Sequence, residues 1–254
     1  MPGQCRRRSP SVRLMFHPRI AEGGRMAAQI RIISSMATRQ LLADLIAQYQ
    51  QGTPQPITCE SVGGVDAARR VQAGEAFDVV ILAANAIEQL IAAGKIVAGS
   101  RVDLVKSGVS IAVKAGAARP DIGCEEAVKQ AVLAARTVSY STGPSGVHLV
   151  KLFERWGIAE QIKDRIVQAP PGVPVGSLVA SGEVELGFQQ LSELIHLPGI
   201  EVLGPLPDAI QIITTFSAGL CASSNQAEAV RAMLDFMVSP AATAAKLANG
   251  MAPA

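Results

Sequence analysis

Three times in this sequence an apolar, strand-like run ends in a short turn of small or hydroxyl-bearing residues and continues at once as a helix. Gln29-Ile-Arg-Ile-Ile33 enters Ser34-Ser-Met-Ala-Thr38 ahead of a helix ending near Gln51-Gly52. Ile57-Thr-Cys-Glu60 enters Ser61-Val-Gly-Gly-Val65 ahead of a helix from Asp66 to Ala73. Thr137-Val-Ser-Tyr140 enters Ser141-Thr-Gly-Pro-Ser-Gly146 ahead of a helix with Val147, Leu149, Val150, Phe153 and Trp156 on its apolar face, and Ser145 reads as its N-cap. In an open α/β sheet such turns gather at the carboxyl ends of the strands, where ligands bind. Free N–H groups and the positive end of the helix dipole suit a carboxylate or an oxyanion there. Ser34, Ser35, Gly63, Gly64, Thr142, Ser145 and Gly146 are therefore candidate ligand-binding residues. An ordinary turn-and-cap role is the alternative for each taken singly.

The rest of the chain keeps the same alternation. Helical patterns fall at 38–51, 66–73, 86–93, 124–135, 146–156, 174–181 and 226–248, and strand patterns near 29–34, 57–61, 78–83, 108–114, 137–140, 165–168, 185–189, 200–203 and 210–222. This order predicts α/β layers with mostly parallel strands. The runs at 108–114 and 210–222 read as strands crossing between two lobes. Residues 26–108 with 215–254 would then form lobe 1 and residues 109–214 lobe 2. Residues 1–25 carry Arg6-Arg-Arg8 and several prolines but no apolar run of the kind a secretory signal needs. They read as a disordered extension or a start placed upstream of Met26, which makes a cytoplasmic location the expectation.

Composition excludes several classes. The 254 residues are 49 % hydrophobic and 17 % charged with a formal charge of +2, enough to bury a sizeable core and too balanced to present a nucleic-acid surface. No run approaches the length of a membrane span. Cys5, Cys59, Cys124 and Cys221 form no C-x-x-C pair, and Cys59 and Cys221 lie in apolar runs that predict buried free thiols. His17, His148 and His196 are too scattered for a metal cluster. No phosphate-loop or dinucleotide fingerprint occurs, so no cofactor is implied. The expected partner is a small anionic ligand, with neither nucleic acid nor membrane insertion.

The order of Ile33-Ser-Ser-Met, Glu60-Ser-Val-Gly-Gly, Arg69-Arg-Val-Gln-Ala-Gly74, Phe77-Asp-Val-Val-Ile-Leu-Ala83, Ser145-Gly146 and Glu185-Leu-Gly-Phe-Gln-Gln-Leu-Ser-Glu193 resembles the molybdate-binding-protein family of type 2 periplasmic solute-binding folds. The resemblance runs from about residue 28 to the end. It implies a two-lobed type 2 periplasmic-binding-protein-like α/β fold, with an oxyanion held in the cleft between lobes. By position, Ser35 matches the family's first binding serine, and Gly64 stands where a second serine is usual. Ser145 stands on an alanine that gives its main-chain N–H, Val173 matches a valine that does the same, and Gln190 replaces a tyrosine whose hydroxyl binds the anion.

Two side-chain donors are thus changed, and the same scaffold is used by aconitate isomerases. The resemblance therefore implies binding and double-bond isomerisation of a small polycarboxylate such as aconitate, and the lack of a signal-like run makes an intracellular site the expectation. The alternative is a non-enzymatic molybdate- or oxyanion-binding protein, periplasmic and partnered by an ABC permease. Isomerisation needs a base. Glu60 at a strand end is one candidate, though such carboxylates also pair with a neighbouring Arg or Lys; His148, one turn into its helix, is another, or is simply an exposed helix residue. Arg39 either clamps a carboxylate or is a solvated helix residue. Gln189 and Gln190 both donate and accept hydrogen bonds, and one of them is assigned to the cleft.

Overall fold

The structure, a computed structural model, describes residues 28–170 and 172–254. The expectations for the extension 1–25 and for Cys5 and His17 lie outside the described residues. In chain order, β1 (Ile30–Ser35) passes through a 3-10 turn at Met36–Thr38 into α1 (Arg39–Gly52), β2 (Ile57–Val62) leads into α2 (Gly64–Gln72), and β3 (Val79–Ala83) leads into α3 (Ala84–Ala92). Then come β4 (Val102–Lys114), α4 (Glu125–Ala134), β5 (Val138–Tyr140), α5 (Pro144–Arg155), α6 (Ala159–Ile162), α7 (Val175–Ser181) and β6 (Leu186–Gln190). The chain finishes with α8 (Leu191–Leu194), β7 (Ile200–Pro205), β8 (Ile213–Leu220), α9 (Ala227–Val238), α10 (Thr243–Ala248) and β9 (Ala252–Pro253).

The strands run β2-β1-β3-β8-β4-β6-β5, with β7 and β9 also on β4. Along β4, Val102–Gly108 pairs with β8, whereas Val109–Lys114 pairs with β6 and β7. Only β1 with β2, β1 with β3, and β5 with β6 are parallel; the partners of β4 and β8 are antiparallel. The expectation of mostly parallel strands is corrected here. A long strand that enters one layer and a second that returns from it pair head to tail, without the helical crossover that a parallel pair requires.

Both faces of the central strands are covered, which is why β3 reads as an unbroken apolar run. Val79 and Ile81 point into a core with Leu42 and Leu45 of α1 and Met233 and Met237 of α9. Val80 and Leu82 point into another with Ala67 of α2 and Ile87 of α3. Beyond the switch in β4, Val109, Ile111 and Val113 pack with Val128 and Val132 of α4 and Leu149 and Phe153 of α5. The opposite face carries α7, whose Val175 and Val179 sit so close that a Cβ on Gly187 would lie 2.9 and 2.6 Å from their methyls.

Local chemistry explains three departures from the expected elements. The helix expected over 226–248 is broken into α9 and α10, because Pro240 has no N–H to continue the ladder and drives Ser239 to an extended ψ of 161°. The strand expected at 165–168 is reduced to a single bridge between Ile166 and Val138, since Lys163–Arg165 is a 3-10 turn. Helix α5 starts at Pro144 with Gly143 as N-cap, because proline suits a first position whose N–H is not needed; Ser145 is inside the first turn and does not cap it. Cys221 is buried, but Cys59 is exposed, since β2 is an edge strand. Among the described residues no helix is long and apolar enough to cross a membrane.

Candidate active site

A cleft of about 510 Å³ opens where the β1, β2, β3 and β5 turns face the ends of β6 and β8. One wall is made by Ser35, Met36 and Ala37, by Gly63, Gly64 and Val65, and by Asn85 and Ala86 at the start of α3. The facing wall brings Thr142 to Ser145, Val173, Gln189, Gln190 and Glu193, with Thr214 and Phe216 of β8 between the two. Helix starts leave donors unused. The first backbone bond inside α2 is made by Ala67 to Gly63, so the N–H groups of Gly64, Val65 and Asp66 make none. In α5 the carbonyl of Gly143 accepts from Gly146 and Val147, and the Ser145 N–H precedes both.

The sequence candidates divide cleanly in space. Ser35, Gly63, Gly64, Thr142, Ser145, His148, Val173, Gln189 and Gln190 line the cleft. Ser34 does not, because successive strand side chains face opposite ways: its hydroxyl bonds Ser61 Oγ at 2.8 Å, whereas Ser35 Oγ is buried with no partner and is free for a ligand. Arg39 is exposed and outside the lining. Gly146 is buried behind it; a Cβ there would lie 1.8 Å from the Ser141 carbonyl oxygen, so its role is to let α5 start close to β5.

Glu60 is the main correction. Its carboxylate lies outside the cleft lining and is held by both terminal nitrogens of Arg70, at 2.6 and 3.0 Å, with Arg70 also bound to Glu75. The Arg70 hydrogen bonds hold Glu60 below its ordinary carboxylate range, the opposite of what a base working near neutrality needs. A second acid faces the cleft instead. Glu193, in the single turn of α8, lines the cleft, and burial pushes its carboxyl up to about 7 despite the opposing hydrogen bond from Gln189 Nε2 to its Oε1 at 2.9 Å. The signal was in the sequence as an acid four residues beyond Gln189, yet nothing local distinguishes it from a solvated helix carboxylate.

His148 and Lys151, three residues apart on α5, both line the cleft from the same face and are its cation-capable side chains among the described residues. Gln190 ties the cleft to the crossing strands. Its amide lies 2.9 Å from Thr214 Oγ1, and with its oxygen accepting from that hydroxyl its nitrogen donates to Ser107 Oγ at 2.8 Å and Ser107 O at 3.1 Å. The resulting arrangement is a nest of amide and hydroxyl donors with one raised-pKa carboxyl among them. It can hold a polyanion and exchange a proton with it.

A family model described as bacterial extracellular solute-binding protein matches residues 30–252. An aconitate isomerase from a Pseudomonas species is 35 % identical over 232 residues, which cover 88 % of this chain and 87 % of that protein. Among solved structures, the periplasmic molybdate-binding protein of Azotobacter vinelandii matches with a TM-score of 0.74 at 20 % identity, over 89 % of this chain and 99 % of its own. A periplasmic thiamin binding protein matches with a TM-score of 0.72 at 16 % identity, over 91 % and 85 %. At such identities these structures speak to the two-lobed fold alone.

Proposed function

The chain belongs to the family of bacterial extracellular solute-binding proteins, and on that footing we propose that its cleft isomerises a small unsaturated polycarboxylate such as aconitate. The observation that carries this reading is Glu193, a carboxyl with its pKa near 7 facing a cleft otherwise furnished with anion-binding donors. The 35 % identity to an aconitate isomerase supports it. So does the size of the cleft, which falls in the range of roughly 300–1,000 Å³ usual for organic ligands and exceeds what a tetrahedral oxyanion fills. Glycine at position 64 adds room where the resemblance puts a serine. A Cβ there would make only ordinary contacts, 3.6 Å from Ser35 Cβ, so packing does not demand the glycine.

The chemistry proposed is a 1,3-proton shift. Ionised Glu193 removes a proton from the methylene carbon next to one carboxylate; the electron pair of that C–H bond is delocalised into the adjacent double bond and carboxylate. The Ser35 hydroxyl and the amides at the starts of α2 and α5 stabilise the charge that gathers on the carboxylate oxygens, being oriented before the reaction begins. Glu193 then returns the proton at the far carbon, and the double bond has moved with no net oxidation. Lys151 offsets the charge of the remaining carboxylates, and a His148 ring N–H can donate a hydrogen bond to one of them. General-base action of this kind is worth about 10²- to 10⁴-fold in rate.

Purified protein is expected to convert cis-aconitate into trans-aconitate, and in deuterated water solvent label enters the product only to the extent that the proton held on Glu193 exchanges before it is returned. Absence of turnover at high protein concentration, with tight molybdate binding in calorimetry, would instead favour oxyanion capture for an ABC transporter, which the family and its molybdate-binding neighbour also support. The pH profile has a stated direction. Because the raised group must be ionised to act, kcat/KM is expected to rise with pH and level off above about 7. Ser35→Ala is expected to weaken substrate affinity by about ten- to a hundredfold, the equivalent of roughly 1.5–3 kcal/mol for a hydrogen bond to a charged group. Glu60→Gln serves as the control, with kcat and KM unchanged, because its Arg70 pair lies outside the cleft.

A further inference from the structure

We propose that Gln189 holds the Glu193 carboxyl by one oxygen, so that the other oxygen is the atom that takes up and returns the proton. The inference rests on the isomerase reading for its chemistry and on the hydrogen bonds around Gln189 for its geometry. An amide side chain can face either way unless its neighbours decide, and here they do. The N–H of Gly176, the second residue of α7, lies 3.3 Å from Gln189 Oε1 and can only donate, which sets the amide oxygen toward α7. The amide nitrogen must then face Glu193 Oε1, at 2.9 Å. Gln189 is 2 % exposed and sits on β6 opposite Ser110 of β4, so the arrangement is anchored in the sheet.

Two consequences follow for Glu193. An N–H donor favours the ionised carboxyl and works against burial, keeping the group available as a base near neutrality. With Oε1 held, Oε2 forms the O–H bond when the substrate C–H bond breaks. The pinned carboxylic acid does not swing its proton away from the ligand, and the same O–H bond breaks as the new C–H bond forms at the far carbon. Retention of the substrate's own hydrogen in the product is therefore a property of Gln189 as well as of Glu193. Gln189 is a positioning residue in this scheme.

The test compares the whole native protein with Gln189→Leu, which has no donor, and Gln189→Asn, which keeps an amide too short to reach both Gly176 and Glu193. The second variant serves if the first does not fold. The Glu193 carboxyl is titrated by carbon NMR in ligand-free protein, its signal identified by its loss in Glu193→Gln. The expected result is an upward shift of about one pH unit in the variants, matched by the acid limb of kcat/KM. With substrate deuterated at the methylene carbon, the share of deuterium kept in the product is expected to fall. An unchanged Glu193 titration in the folded variants overturns the proposal. Because that titration needs no turnover, failure of the isomerase reading is read separately, as absence of product from the native protein.

Discussion

Glu193→Gln is expected to lower kcat for aconitate isomerisation by about 10²- to 10⁴-fold while leaving KM close to the native value. Glutamine keeps the size and the hydrogen-bonding oxygen that meets Gln189, so the wall of the cleft is preserved. What it loses is the ability to accept a proton from carbon, which matters in the transition state and hardly at all in the bound ground state. Circular dichroism and a ligand-induced thermal shift establish that the variant is folded and still binds. A native kcat in Glu193→Gln would show that the base lies elsewhere, and His148→Ala would be the next variant to measure, since His148 also lines the cleft.

Gly146→Ala is expected to show the largest loss of stability of the single substitutions considered. The added methyl would lie 1.8 Å from the Ser141 carbonyl oxygen and 3.2 Å from Tyr140 Cδ2, and the first of these is backbone that cannot turn aside. Overpacking of this kind costs about 1–3 kcal/mol or more, which for a domain of this size lowers Tm by roughly 2–4 °C per kcal/mol. The shift also pushes α5 away from β5 and carries the Ser145 N–H with it, so ligand affinity falls alongside Tm. Gly64→Ala is the contrast. Its methyl meets only Ser35 Cβ and Leu82 Cδ2, at 3.6 and 3.9 Å, so Tm should hardly move although the cleft is narrowed. A Tm for Gly146→Ala equal to that of Gly64→Ala would mean that the start of α5 is far more yielding than its packing indicates.

Much of the anion-binding surface was legible in the sequence because it is encoded locally. A strand ending in serine, glycine or threonine before a helix leaves free N–H groups wherever it occurs, and Ser35, Gly63, Gly64, Thr142 and Ser145 all reach the cleft. Two errors within those same turns came from periods too short to read. Ser34 and Ser35 are neighbours of identical chemistry, and only the strand's alternation, anchored by Ser34 bonding to Ser61, decides which hydroxyl faces a ligand. Gly146 reads in sequence as part of an anion-binding turn, yet its small size serves packing against Ser141.

The carboxyl proposed to transfer the proton was the part that local pattern could not assign. Glu60 lies near the end of β2 and Glu193 just beyond β6, and each has a polar neighbourhood in sequence. Their fates separate through contacts with residues distant in the chain or across an element boundary: Arg70 of α2 neutralises Glu60 at the exposed edge, whereas Glu193 is turned inward beside Gln189 and desolvated. The alternation of strands and helices, the small polar turns and the kinship with solute-binding proteins were determined by the sequence alone, since each depends on residue type and short-range spacing. The antiparallel crossing of β4 and β8, the outward turn of Glu60 and the raised carboxyl of Glu193 were decided only by the tertiary structure, because burial and charge pairing are set by what the fold brings near a residue from elsewhere in the chain.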